Sequence, residues 1–333
     1  ANNLLAAAQL RLSAETLRKL VEQEGKLAQE AQECEQLELD WHACDCRTDR
    51  TPDGEAPTTR VYVGCDGVQV ATVRAAEKQK RRLKAKERRR HLPRRRGLRL
   101  RRRPLPRIKS GSDQTWKEFK IVTMYDQDRE RRLVRGTRKD HRHAGKLMRQ
   151  MAATLRLRQA KEKVGLVDGA EWIRRQMQQN LPILDALTLD CFHFAEHVHQ
   201  TRREVFGENH ESGENWAAEL ISSIKHQGYQ AMWEKLLELR ARTRSRNKRA
   251  AIDALMHYAA ERREMLDYVH HHQQGWDIGS GPTESMCKAL TRRLKGRGMR
   301  WDADNAEAIM TLEALMQSDL WDAWWKRRFA CVN

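Results

Sequence analysis

Residues 78 to 109 cannot enter a protein core. The segment holds 18 Lys or Arg against the single acid Glu87, a local charge of +17 in a chain whose formal net charge is +18. Burying an unpaired ammonium or guanidinium costs far more than its packing returns, so whatever folds on either side must be built without these residues. The stretches on its two sides, two adjacent apolar runs over 61 to 74 and another over Trp116 to Met124, are therefore expected to form a meander of strands with a decorated loop between them. Pro93, Pro104 and Pro106 punctuate the clusters Arg94-Arg95-Arg96 and Arg101-Arg102-Arg103, which argues against one continuous helix across them. Cations concentrated in this way suit an arm that follows a polyanion, although a solvated loop or a targeting signal would carry the same charge.

At 333 residues, 39% hydrophobic and 33% charged, the chain can bury a substantial core in two or three helix-rich domains. Seven scattered cysteines, an odd number, make no disulfide framework and point to a reducing intracellular compartment. No long apolar run marks a membrane span or signal peptide. Cys34, His42, Cys44 and Cys46 invite a zinc reading, but Cys-x-Cys lacks the wider gap of most zinc ligand pairs, and reduced cysteines near a domain junction are expected.

The sequence begins without Met and in mid-pattern, consistent with residues missing upstream of Ala1. Residues 3 to 39 read as helices: a first helix, a short turn, Ser13 as N-cap, and a second helix ending near Gly25. As a helix-turn-helix this would turn Arg18, Lys19 and Gln23 outward to a DNA groove and Leu17, Leu20 and Val21 inward, though any helical hairpin shares the pattern. Further on, the periodicities predict a helix over roughly 141 to 159, a strand ending at Asp168, a helix over 170 to 179, a strand over 183 to 189 and a helix from about Asp190. Strands first and then alternating strands and helices indicate an α+β or α/β chain, a mixed sheet covered by helices. Residues 206 to 274 read as an all-helical insertion, 275 to 318 as the return of the domain begun at 41 to 205, and 319 to 333 as a Trp-rich tail. Trp321, Trp324 and Trp325 suit a packed anchor better than a base-stacking platform.

Three acidic residues carry the chemistry. Asp66 closes the run from Val61 to Cys65 and precedes Gly67, while Asp168 closes Val164 to Val167 and precedes Gly169. Both are expected at strand ends, where side chains project into a cleft, although either alone could be a turn former. Glu284 opens a helix, with Pro282 suited to its first position and Ser280 or Gly281 able to cap it. Met286, Leu290 and Leu294 should face the core, with Lys288, Thr291 and Lys295 on the stripe of Glu284. An ordinary exposed Glu284–Lys288 pair has the same spacing. The following Lys295-Gly296-Arg297-Gly298-Met299-Arg300-Trp301 adds glycines that let backbone approach a phosphate, three cations and a Trp. Carboxylates from three separate elements are a sufficient protein share for two Mg²⁺ or Mn²⁺ ions, and two such ions stabilise both oxygens of a phosphodiester displacement.

Asp, Asp, a helical stretch and then Glu on a helix resembles the order in the RNase H-like DDE transposases of insertion sequences. Val167-Asp168-Gly169-Ala170-Glu171-Trp172-Ile173, Leu189-Asp190-Cys191-Phe192-His193-Phe194-Ala195-Glu196-His197 and Gly279-Ser280-Gly281-Pro282-Thr283-Glu284 are together similar to the ISKra group of bacterial transposases, over roughly residues 60 to 318. The resemblance implies an RNase H-like mixed sheet flanked by helices, with an all-α insertion before the Glu284 helix. It implies Asp66, Asp168 and Glu284 as a triad for two ions, Asp66 bridging both, and cleavage of transposon ends followed by transfer of the 3′-hydroxyl into target DNA. Lys288, Lys295, Arg297 and Arg300 would then hold phosphates beside Trp301, with Trp216 or Trp233 on an unpaired base. A dimer or larger synaptic assembly on DNA, in the cytoplasm at the nucleoid, is implied as well.

The resemblance also draws attention to Asp190, His193 and His197, which fall at i, i+3, i+7 and can share a helix face. They either orient the site or touch DNA near the cut, or form an Asp-His pair that fixes the insertion. The Arg-rich stretch departs from the family, being longer and more basic than the expected link. The same fold serves other reactions, so a nuclease without strand transfer and a non-catalytic DNA-binding descendant stand as alternatives.

Overall fold

The computed structural model describes residues 12–73, 75–90, 115–296, 299 and 301–330. The readings placed on Arg94, Arg95, Arg96, Arg101, Arg102, Arg103, Arg297 and Arg300, and on the first helix of the N-terminal pair, lie outside the described residues.

Helix α1 spans Ala14–Glu33. Ser13 caps it as expected, its hydroxyl accepting from the Thr16 N–H at 3.0 Å. The helix does not end near Gly25, because that glycine is a packing contact: a side chain there would collide with the Ala308 carbonyl. One long helix therefore replaces the second half of the expected helix-turn-helix. It buries Glu22, Gly25, Ala28 and Ala31, which leaves Leu20 and Val21 at 50% and 43% exposure instead of inside.

Two-residue β1 (Arg47–Thr48) pairs with the start of β2 (Thr58–Thr72). The two apolar runs expected over 61 to 74 are this single strand. It stays continuous because β3 (Thr115–Asp126) pairs antiparallel along it, from Val61 opposite Asp126 to Thr72 opposite Thr115. Asp66 consequently lies inside a strand, opposite Ile121, and not at a strand end. Between them, α2 (Ala75–Arg90) carries the first part of the basic segment. Its Lys80, Arg82, Lys84, Lys86 and Arg88 are exposed, and Arg82 lies 3.9 Å from Glu15 at the start of α1.

β4 (Arg132–Thr137) pairs antiparallel with β3; two apolar residues between arginines were too short a run to announce it. α3 (His141–Thr154), β5 (Glu162–Val167), α4 (Glu171–Asn180) and β6 (Ala186–Leu189) follow. Then come α5 (Cys191–Phe206), α6 (Glu211–His226), α7 (Tyr229–Arg242), α8 (Arg246–Glu261) and short α9 (Tyr268–Gln273). Charged α8 stops at Glu261, well before His270-His271-His272. The chain closes with α10 (Gly281–Arg292), α11 (Ala303–Gln317) and α12 (Trp321–Ala330). Trp324 is 2% exposed, and Arg328 of the same helix pairs with Glu24 at 2.8 Å, so α12 is a packed anchor against α1.

The described residues thus form a mixed α/β structure, with an open sheet in the order β4-β3-β2-β5-β6 and β1 set to the side of β2. β5 is parallel to β2 and β6 to β5. Strand alternation divides two apolar layers. Val61, Val63 and Cys65 face a core shared with α3, α4 and helices α5 to α9, including Leu220, Leu236 and Leu255. Tyr62, Val68 and Val70 face Met286, Leu290 and Leu294 of the α10 segment and Met310 of α11. Among the described residues no helix is long and apolar enough to cross a membrane.

The helical run rejoins the sheet through Arg60, which is fully buried. Its guanidinium donates to Glu162 Oε2 at 2.6 Å, to Gln127 Oε1 at 2.6 Å and to the carbonyls of Gly275 at 2.7 Å, Arg50 at 2.6 Å and Gln274 at 2.9 Å. The Trp276 indole donates to the same Glu162 oxygen at 3.0 Å.

His271 is 3% exposed, its ring centroid 5.4 Å from that of Trp276. Burial holds its pKa down from 6.5 to about 4. Above the unfolded value the ring is neutral in both states; as pH falls from 6.5 toward 4 the unfolded chain binds a proton that the folded one refuses, and stability is lost. Relative to His271→Gln, the wild type is expected to lose about 2 kcal/mol between pH about 7.5 and about 5, read from urea unfolding at each pH. Parallel pH profiles for the two proteins would remove His271 as the cause.

Candidate carboxylate site

β2 and β5 run parallel with Cys65 opposite Val167. The next residues, Asp66 and Asp168, therefore stand side by side, on the face that carries Tyr62 and Leu166. Each is held by a local hydrogen bond: Asp66 Oδ1 accepts from the Gly67 N–H at 2.5 Å and Asp168 Oδ1 from the Ala170 N–H at 3.0 Å. The Cys287 thiol, which burial keeps protonated, also donates to Asp66. Burial raises the Asp66 pKa above its ordinary value and the charge of Asp168 raises it further, against these hydrogen bonds and the nearby His193. Two half-buried carboxylates that repel one another are a place where a cation lowers the energy.

Helix α10 reaches this face because residue 64 is glycine. Any side chain at Gly64 would collide with the Thr283 hydroxyl, which lies 3.0 Å from the Thr123 hydroxyl across the same contact. Thr283 immediately precedes Glu284, and Cys287 is the residue one turn further on that reaches Asp66. Pro282 occupies the first turn as expected, and Met286, Leu290 and Leu294 are buried. Glu284 itself stays at the rim, its side chain 42% exposed and 3.5 Å from Lys288 Nζ. Among the described residues no three His, Cys, Asp or Glu side chains are gathered closely enough to hold a metal ion. Asp66 and Asp168 are brought together; Glu284 lies on the same helix turn but is engaged by Lys288. The two aspartates offer the hard oxygens that Mg²⁺ or Mn²⁺ takes, and a third carboxylate ligand requires Glu284 to leave Lys288.

Gly64→Ala is expected to push the start of α10 off the sheet and to cost about 1 to 3 kcal/mol by overpacking. Denaturant unfolding measures it, and adding Thr283→Ala should recover part of the loss. A Gly64→Ala protein as stable as wild type would mean that α10 does not press on β2 in solution.

Asp190 is fully buried at the corner between β6 and α5. One of its oxygens accepts from the N–H of Phe192 at 2.6 Å and of His193 at 3.2 Å; the other accepts from the Ser280 N–H at 2.5 Å and from the Ser280 hydroxyl. Asp190 is thus a positioning residue that ties the corner to the residue opening α10, and Ser280 spends its hydroxyl there and not on capping. It does not pair with the His193 ring, which lies 3.3 Å from Glu196. His197 stacks on Tyr258, ring centroids 3.9 Å apart. The three residues expected to share one face have three different partners.

Of the expected DNA contacts, Lys288 and Lys295 are exposed near this face, whereas Thr291 is buried and donates to the Cys287 carbonyl at 2.6 Å. Trp301 is half-buried against the second core, its carbonyl accepting from the Val73 N–H at 2.8 Å. Trp216 packs on Phe206 at 5.7 Å and Trp233 stacks on Tyr229 at 5.6 Å, both partly buried among helices. Arg18 is engaged by Glu15 and Glu22, while Lys19 and Gln23 face solvent.

Cys287 and Arg262 were missed. Cys287 stands three residues after Glu284, a spacing that could have marked it; Arg262, just past α8, donates to the Gly169 carbonyl, a backbone contact that leaves no mark in sequence. The chain is thus a mixed α/β protein with a carboxylate pair where β5 ends. No protein-family model matches it, and no curated protein is significantly similar to it.

Proposed function

We propose that this chain is a DDE transposase, cutting DNA at transposon ends with metal ions and joining the freed 3′-hydroxyl to target DNA, and that its catalytic part is RNase H-like. The observation that carries this reading is the placement of Asp66 and Asp168 side by side on parallel strands, with the Glu284 helix packed on Gly64 over the same face. The strand order, three antiparallel strands and then two parallel ones, supports the fold assignment, as does the helical run between Asp190 and Glu284. Asp66, Asp168 and Glu284 would hold two Mg²⁺ or Mn²⁺ ions. Bound ions would stabilise charge on the attacking and leaving oxygens of the phosphodiester. The chain's own residues position: Asp190 fixes where α10 begins, Lys288 and Lys295 meet phosphates at the rim, and the cations of α2 follow the DNA backbone. Paired transposon ends require a dimer or larger assembly.

The engagement of Glu284 by Lys288 favours one rival, a transposase-derived DNA-binding protein whose triad is idle. Labelled DNA bearing the flanking element ends, incubated with protein and Mg²⁺ or Mn²⁺, separates them. Cut and joined products are expected. Cutting without joining would leave a nuclease, and specific binding without cutting would leave the idle binder.

A further inference from the structure

Asp168 is followed by a backbone turn that its own Oδ1 closes onto the Ala170 N–H at 3.0 Å and that a second element holds from outside. Gly169 adopts a left-handed conformation at φ +83°, and its carbonyl is taken by Arg262, the residue just past α8. Arg262 Nε and Nη2 both donate to that oxygen, at 3.2 and 3.0 Å, and Arg262 Nη1 donates to the Tyr258 carbonyl at 3.3 Å. The guanidinium is held by the Tyr258 ring, 4.1 Å from its centroid, and Tyr258 is in turn stacked on His197 of α5. The fit leaves no slack: a Cβ at Gly169 would stand 2.6 Å from Leu189 Cδ1, 2.9 Å from the Tyr258 hydroxyl and 3.2 Å from Arg262 Nε. From α4, Arg174 adds a bond to the Glu261 carbonyl at 3.4 Å.

We infer that Arg262 is the positioning residue of Asp168, fixing the turn that aims this carboxylate and making its placement depend on the seating of α8. The guanidinium fork is what the task needs, because two donors on one carbonyl fix the direction of the turn, where a lysine would supply one mobile point charge. A displacement of α8 relative to the sheet is carried to Asp168 by this side chain. That the aimed carboxylate serves a metal ion rests on the reading above; that Arg262 aims it does not.

Hydrogen exchange in the metal-free protein tests the inference directly. Arg262→Ala is expected to speed exchange of the Gly169 to Glu171 amides about tenfold, the worth of one charge-assisted hydrogen bond, with β2 and α10 unchanged. Arg262→Lys should fall between it and wild type, and Arg246→Ala, exposed at the far end of α8, should match wild type. Unchanged exchange at the turn in Arg262→Ala, or acceleration spread equally over β2 and α10, would overturn the inference. Mn²⁺ binding followed by electron paramagnetic resonance separates the two readings: about tenfold weaker binding in Arg262→Ala extends the positioning to the metal. A wild type that binds no Mn²⁺ would sink the metal-site reading and leave the exchange result standing.

Discussion

Asp168→Asn is expected to lower DNA cleavage by about a thousandfold or more and to make the metal-free protein more stable. The two effects have one origin. Replacing the carboxylate by its isosteric amide removes a hard, charged ligand, and the several kcal/mol of transition-state stabilisation that bound ions supply correspond to about three powers of ten in rate. The amide oxygen can still accept from the Ala170 N–H, so the turn is kept. What disappears is the repulsion that helps raise the Asp66 pKa. Stability at neutral pH should therefore rise, by about 1 kcal/mol, and the Asp66 carboxyl should titrate closer to its ordinary value. Gel assays of end cleavage and thermal unfolding without divalent ions measure the pair. Cleavage retained in Asp168→Asn would exclude the two-metal reading; lost stability in the metal-free variant would mean that Asp168 serves the fold and not a bound cation.

Arg60→Ala is expected to cost about 3 to 5 kcal/mol, a large share of what holds a domain together. The side chain is fully buried, and the substitution strands five acceptors from four stretches of chain at once. Glu162 would be left with the Trp276 indole as a donor, 14% exposed and without its cation. Arg60→Lys keeps the charge but cannot fork, and should recover less than half of the loss. Guanidinium unfolding gives both numbers. A loss under about 1 kcal/mol would mean that water replaces the guanidinium and that the return of the helical run is held elsewhere.

Much of this was legible where the signal is local. The Ser13 cap and the helix beginning at Asp190 both fell where periodicity and capping residues put them. Glycines were legible as breakers but not as contacts: Gly25 read as a helix end because nothing in the neighbouring residues announces the Ala308 carbonyl. β4 was missed because a strand whose outward positions are arginines has no run to detect. At the site, Asp66 and Asp168 could each be singled out, but their adjacency is a property of the parallel register between β2 and β5, which pairs residues a hundred positions apart. Spacing offered Glu284 both as a ligand and as the partner of Lys288, and the structure shows the pair with Lys288.

The length of β2 has a geometric consequence. Thr72 lies six positions beyond Asp66, about 20 Å of extended chain, and α2 begins three residues further on. On the proposed function, a duplex with its reacting phosphate at Asp66 and its axis along this strand would pass the end of β2 about six base pairs away, at about 3.4 Å per pair. On that reading the strand is a ruler: it sets how far DNA leaving the carboxylates must run before it passes the end of β2, where α2 follows.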